Sequence, residues 1–341
     1  MKSPIKIVAA LIVLVLPFSC IDEINLKVDN IEEKIIIEGL IADSLDTYYI
    51  NVKQTKNKGI YPISNAIVQV WDDRGNSIDF KESTINEGSY EAVMAALPGR
   101  NYFTRIAIDG KIYESKPSSL IPSPAISNPG HIIDTRVYIN ESGSQVSETV
   151  VQVKLDVQFN PSSPKPYLRW RTKGEYEFHE EKPRSAKWCY VKDINDYNKL
   201  ALYDPRLNNS NSLTNQVINY TELDGRFAIL YCFNIYQYTM TRDEYNYWSS
   251  IQDLIENKGT LYDPPVGNIQ GNLFNKNDAQ EQVIGYFSVS GVKSTRYFLS
   301  GNSLGGFFPG FPCGNFFNRP AICNDCLTIK FSSTAKPVYW P

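Results

Sequence analysis

Histidine is nearly missing from this chain of 341 residues, which holds only two, His131 and His179. They stand far apart, so the H-x-x-x-H spacing that offers two imidazoles to a catalytic zinc from one helix face is excluded. Methionine is scarce as well, with three residues. There is no block of lysine and arginine, and the formal net charge is only -3. Nothing in such a balance is built to neutralise a phosphate backbone, which argues against nucleic acid as a partner. Neither a phosphate-cradling glycine loop nor a dinucleotide fingerprint occurs. No apolar run reaches the length of a membrane span; the run Ile7 to Leu16 has signal-peptide length only.

What is present starts at that run. Lys2 and Lys6 place positive charge in front of it, and Pro17, Phe18 and Ser19 lead from it directly into Cys20. This order resembles a bacterial lipobox, with Pro17 where leucine is usual and Leu16 one place earlier. Relaxed lipoboxes of this kind are similar to those of Bacteroidota lipoproteins. Residues 1–19 are therefore expected to be a signal peptide, Cys20 the lipidated residue and 20–32 a tether. Asp22 and Glu23 resemble the acidic signal that sends such lipoproteins to the surface, so the expected location is the outer membrane, lipid-anchored and facing the cell exterior.

Outside the cytoplasm the other five cysteines can oxidise. Cys232 lies inside the apolar stretch ILYCFNIYQY and is expected to stay free, packed as a small hydrophobe. Cys189, Cys313, Cys323 and Cys326 remain as disulfide candidates, with three pairings possible. Cys323 and Cys326 also form C-x-x-C, the spacing of a zinc knuckle or a redox pair. Their flanks read as loop and strand, and no histidine is near to complete a metal site, so structural disulfides are the better reading.

Tyrosine leads the aromatic residues, with 22 copies, and glycine and proline punctuate the chain. That is the composition of a strand-rich exported protein. From residue 33 to 120 short alternating segments follow one another. Tyr48, Ile50 and Val52 alternate with polar neighbours, and Asp109-Gly110 marks a hairpin before Lys111. About seven strands without a helical stretch predict an immunoglobulin- or transthyretin-like β-sandwich. The proline- and serine-rich segment 121–130 reads as a linker, and 131–341 as a larger β-rich domain. There Val151, Val153, Leu155 and Val157 form one apolar face. Leu168, Trp170, Thr172, Tyr176 and Phe178 form another, with Arg169, Arg171, Lys173, Glu175 and Glu177 as charged outer rungs of a strand or hairpin. One prominent helix is predicted near 241–258. Thr241 and Glu244 fit a capping box, Gly259 a stop, and Tyr247, Trp248, Ile251, Leu254 and Ile255 one apolar face.

Gly301-Asn302-Ser303-Leu304-Gly305 matches the G-x-S-x-G nucleophile elbow. An elbow needs a helix behind the serine and a histidine later in the chain, but GFFPGFPCG follows and both histidines precede it. Ser303 is therefore read as part of a glycine-rich loop. The neighbouring carboxylates Asp72 with Asp73, and Glu180 with Glu181, point to opposite faces if extended and are expected to be solvated. No catalytic residue, metal ligand or cofactor is assigned. The loop that follows Gly305 carries Phe307, Phe308, Phe311, Phe316 and Phe317, which are core residues or partner-facing aromatics.

The stretches YLRWRTKGEYEFH, IYQYTMTRDEYNYWSSIQDLIENKGTLYDPPVGNIQGN and EQVIGYFSVSGVKSTRYFL, with the closing CNDC and KPVYWP, resemble a family of Bacteroidota lipoproteins whose shared domain has no assigned function. The resemblance covers nearly the whole mature chain. It implies a non-enzymatic accessory lipoprotein, of the kind frequently encoded beside SusC-like TonB-dependent receptors, with such a receptor as partner in substrate capture. A stand-alone adhesin or glycan-binding module is the other expectation. Trp170, Tyr245, Trp248, Asp263, Gly271, Asn272, Gly285 and Tyr286 recur in the family and read as helix, turn and strand residues.

Overall fold

The computed structural model describes residues 33–57, 59–140, 142–180, 186–193, 200–256, 269–306, 310, 313 and 320–341. Within them the chain is mainly β, with one α-helix. The first strands are β1 (Ile35–Ala42), β2 (Asp46–Lys56), β3 (Gly59–Pro62), β4 (Ile67–Asp72), β5 (Ser77–Glu82), β6 (Ser89–Met94), β7 (Asn101–Ile108), β8 (Lys111–Ser115) and β9 (Ser118–Ser119). Longer ones follow: β10 (Ala125–Ile139), β11 (Gln145–Gln158), β12 (Tyr167–His179), β13 (Trp188–Asp193), β14 (Ala201–Tyr203), β15 (Ser212–Glu222) and β16 (Leu230–Met240). Then come α1 (Arg242–Glu256), β17 (Leu273–Asn275), β18 (Val283–Ile284), β19 (Phe287–Ser290), β20 (Val292–Ser300) and β21 (Ser332–Ser333).

The alternating pattern does what period two requires. Tyr48, Ile50 and Val52 of β2 are buried while Tyr49 faces water. At the β7–β8 hairpin Asp109 and Gly110 both adopt positive φ, 46° and 80°, the type I′ geometry that matches strand twist. These strands form one sheet in the order β17-β8-β7-β4-β5-β6-β2-β1-β18, with β3 on β2, β9 on β7 and β19 on β1. The sheet curls nearly closed around a core that includes Ile37, Ile50, Val70, Ile106, Tyr113 and Phe287. Each such side chain contributes about 1.5–3 kcal/mol of burial.

Closure comes from far along the chain. Residues 273–290 supply the strands at both ends of the sheet order, β17 against β8 and β18 with β19 parallel to β1. Asn272 clasps the two ends: its buried amide donates to the Phe287 carbonyl at 2.8 Å and accepts from the Phe287 N–H at 2.9 Å. Gly271 lies against the Gly285 backbone, where a Cβ would stand 1.6 Å from the carbonyl oxygen, and Gly285 itself has φ +106° against the Ile37 carbonyl.

A division at 121–130 therefore does not separate the two parts of the chain, since strands after α1 complete the first sheet. Short strands two to four residues long carry too little periodicity to announce such a pairing. Nor is 121–130 a free linker. The Ile121 carbonyl accepts from Gly291 N–H at 3.1 Å and from Thr239 Oγ1 at 2.6 Å, Gln237 donates to Ser123 and Pro124, and β10 begins at Ala125.

The remaining strands make two facing sheets, β10-β11-β15 and β20-β16-β12-β13-β21, with β14 also on β12. Between them lie Val151, Val153, Leu155 and Val157 against Leu168, Trp170, Tyr231, Phe233 and Ile235. β12 is one continuous strand whose pairing with β16 runs unbroken through Gly174, where a Cβ would meet the Tyr231 hydroxyl at 1.9 Å. Gly271→Ala is expected to unlock the clasp, lowering stability by about 2 kcal/mol or more in a urea melt.

Candidate functional site

Cys20, Asp22, Glu23, Gly259, Asp263, Phe307, Phe308, Phe311, Phe316 and Phe317 lie outside the described residues. The four disulfide candidates converge beneath Phe178 and Val191, where Cys189 bonds Cys326 and Cys313 bonds Cys323. The C-x-x-C cysteines thus belong to different bridges. Cys232 is free and buried, and burial pushes its thiol up to about 12. Among the described residues no group of three or more histidine, cysteine or acidic side chains could hold a metal ion, and no helix is long and apolar enough to cross a membrane.

Ser303 ends a short 3-10 turn, exposed, with its Oγ 2.9 Å from Ser300 Oγ. His131 lies nearby, but it bonds the Ser303 backbone and its Nδ1 meets the Tyr297 hydroxyl at 2.7 Å. Its Nδ1 is thus used on a group other than the serine hydroxyl. Two carboxylate readings need correction. Asp72 and Asp73 are not simply solvated: the chain turns at the end of β4, and both reach Arg100. Glu180 is fully buried, accepting from Cys326 N–H at 2.9 Å and Lys187 N–H at 3.3 Å, so it braces the disulfide knot.

The notable surface is the outer face of the β20-β16-β12-β13 sheet, where β12 presents the charged rungs of the sequence pattern. Those rungs are not uniformly wet, because two elements cover the ends of the face. At one end α1 lies over Arg169, whose guanidinium carbon is 4.0 Å from the Trp248 ring centre. Arg169 is 4% exposed and Glu244 fully buried. Thr241 Oγ1 caps the helix by accepting from Glu244 N–H at 3.3 Å, but the Glu244 side chain does not close a capping box. It accepts instead from Ser288 Oγ of β19 at 2.6 Å and from Trp248 Nε1 at 3.3 Å, fastening α1 to the first sheet. Among the described residues Arg169 Nε and Glu244 Oε2 have no hydrogen-bond partner. Burial brings Arg169 down to about 10 and raises Glu244, while each charge counters the other's shift.

At the opposite end the C-terminal residues fold back on the face. Tyr339 donates its hydroxyl to Glu175, Trp340 Nε1 donates to Glu177 at 3.3 Å, and the Trp340 ring packs on Tyr190 and Phe298. Burial and the bond to Glu175 push the Tyr339 phenol up to about 12.

Between these covers the face is open. Arg171 pairs across to Tyr236 and on to Ser294; Lys173 pairs across to Asn234 and on to Arg296. Arg171, Lys173, Ser294 and Arg296 are exposed, and Lys192 of β13 is exposed beside them. Tyr236 stacks on Tyr238 with ring centres 6.3 Å apart, and the Lys173 ammonium sits 5.4 Å from the Tyr236 ring. Arg296 is held in place by stacking 3.9 Å from the Tyr339 ring and by its Nε bond to Asn234 Oδ1 at 3.0 Å. A shallow recess of about 60 Å³ is lined by Asn234, Tyr236, Ser294, Thr295 and Arg296. Burial lowers the Lys173 ammonium, as do Arg171 and Lys192, with only Asp46 of β2 opposing. Among the described residues none of Arg171, Lys173 or Lys192 has an ion-pair partner within 4 Å. Arg171 and Lys173 were visible in the sequence as outer rungs. Lys192 arrives on the neighbouring strand opposite Glu175, whereas Arg296 and the C-terminal cover depend on contacts 62 and 164 residues apart in the chain.

A family model described as a domain of unknown function (DUF4249) matches residues 21–296. No curated protein matches the chain.

For the covered end, Arg169→Met and Glu244→Leu are each expected to cost about 3–5 kcal/mol, and the double variant clearly less than their sum, in urea denaturation. The raised Glu244 carboxyl contributes stability that is present below its unfolded value near 4.5 and lost as pH rises through its folded value. Wild type should therefore gain on Glu244→Gln as pH falls from neutral toward that value.

Proposed function

Because this chain belongs to the DUF4249 family, matched over residues 21–296, we propose that it is a non-enzymatic, lipid-anchored binding protein of the outer membrane. In this reading Cys20 carries the anchor, Asp22 and Glu23 direct the protein to the surface, and a SusC-like TonB-dependent receptor is its partner in substrate capture. The observation that carries the reading is the fate of the cysteines. Four of them form two buried disulfides and the fifth is sealed inside a strand. Two structural disulfides belong to an oxidising compartment, which is where the signal and lipobox of residues 1–20 would deliver the chain. Sequence order and family resemblance support the Bacteroidota lipoprotein assignment and the receptor partnership. The first sheet, with its short antiparallel strands, acts in this reading as an immunoglobulin- or transthyretin-like support module between tether and binding face.

The second reading, a surface module that binds glycans without a receptor, is favoured by the open cationic and tyrosine-bearing face between α1 and the C-terminal residues. Both readings give the protein a ligand and differ in whether a transporter is attached.

Affinity purification from solubilised outer membrane is expected to recover a large β-barrel in near-equal amount, and recovery of the lipoprotein alone would remove the receptor. Protease added to intact cells should digest the protein. Cys20→Ser should release it from the membrane fraction.

A further inference from the structure

We infer that the open face formed by Arg171, Lys173, Lys192, Arg296 and Tyr236 is a binding site for an extended acidic polysaccharide, one carrying uronate or sulfate groups. This rests on the reading of the protein as a ligand-binding surface lipoprotein and gives that ligand a chemical class.

The charge comes first. The whole chain has a net charge of -3, yet this face gathers four cations, while the carboxylates on the same strand are turned to other uses. Glu175 and Glu177 are occupied by Tyr339 and Trp340, and Asp46 is the one acid that opposes the lowering of Lys173. Long cationic side chains kept close together repel one another, a cost that an arriving anion removes. Guanidinium groups add paired donors suited to carboxylate or sulfate oxygens. Arg296 is already immobilised on Tyr339 and Asn234, so little side-chain freedom is lost when it binds.

Shape narrows the class. The recess is shallow and open, about 60 Å³, which is too small to enclose a drug-sized ligand. α1 and the C-terminal residues stand above the sheet at either end of the strands, so the face is the floor of a trough running across β12, β16 and β20. Two strand spacings make that floor about 10 Å wide from Lys173 to Arg296. An extended chain laid across the strands meets cations at both sides. In the middle it meets Tyr236, the Asn234 amide and the Ser294 hydroxyl, an aromatic surface with neutral donors and acceptors of the kind that suits sugar rings and their hydroxyls. Among the described residues the recess has a mainly polar lining, Asn234, Ser294, Thr295 and Arg296 beside Tyr236, and offers an acidic peptide no apolar cleft for its side chains.

Affinity electrophoresis of the detergent-solubilised full chain tests the assignment, with polygalacturonate, chondroitin sulfate, neutral dextran and poly-glutamate in separate gels. Retardation by one of the two acidic glycans, none by dextran and little by poly-glutamate is expected. Lys173→Glu with Arg296→Glu should weaken that retardation at least about tenfold, as loss of two charge-assisted contacts requires. Tyr236→Ala should weaken it too, and Lys81→Glu on the first sheet should leave it unchanged. Lys173→Gln alone, which adds no charge, keeps the test valid if the double variant misfolds, and must still weaken binding. Failure of both acidic glycans to retard the chain, equal retardation by poly-glutamate, or indifference to the Lys173 and Tyr236 variants would each overturn the proposal. Co-purification with a β-barrel in the absence of glycan binding would leave the receptor reading intact and remove only this one.

Discussion

The Asn272 amide is the contact on which the rest of the molecule depends. By donating to and accepting from the Phe287 backbone it stands in for a missing rung of sheet pairing, and so joins β17 to β19 across the gap of a curled sheet. A nearly closed sheet exposes few unpaired backbone groups, and an open one would leave both the β8 and β1 edges bare. The close approach of Gly271 to Gly285 admits no side chain, which explains the glycines on both sides of the clasp. Gly271, Asn272, Gly285 and Tyr286 all meet at this junction; Tyr286 receives the Gly39 N–H on its carbonyl at 3.1 Å.

That closure also decides what the second half of the chain can present. Because 273–290 must return to the first sheet, β20 leaves it at Gly291, locked to Ile121 and Thr239, and enters the second sheet beside β16. α1, on its way back from β16, is held by Glu244 to Ser288 and lies over Arg169. The disulfide between Cys189 and Cys326 anchors the segment that brings Tyr339 and Trp340 onto the far end of the same face. Two structural covers, each fixed by a buried polar or covalent link, thus frame one open strip of cations and tyrosine. A buried Arg169 and Glu244 pair is weak evidence of added stability, since desolvation of both charges offsets their attraction. Its effect is positional: it fixes where the cover ends and the open strip begins.

The strand-rich character, the alternating faces of β2, β11 and β12, the hairpin at Asp109 and the helix after Thr241 were legible because each is a local pattern. Cys232 was legible for the same reason, as a cysteine inside an apolar strand. What stayed hidden is non-local. Leu273–Asn275 and Val283–Ile284 are too short to show a period, and their partners lie more than a hundred residues away. Segment 121–130 has linker composition, but its carbonyls are taken by Thr239, Gln237 and Gly291. Glu244 fitted the spacing of a capping box, and only Ser288, Trp248 and Arg169 reveal that its carboxylate turns into the interior. For the charged rungs of β12, period two gave the correct face and said nothing of which rungs would be covered.

The central claim is that the strip between α1 and the C-terminal residues is the working face of the protein. It is tested most directly by lysine acetylation footprinting, comparing the chain in the cells that make it with the purified, ligand-free chain. Lys173 and Lys192 should be protected in the cells and reactive once purified, while Lys81 on the first sheet should react alike in both. Equal labelling of Lys173 and Lys192 in the two states would contradict the claim.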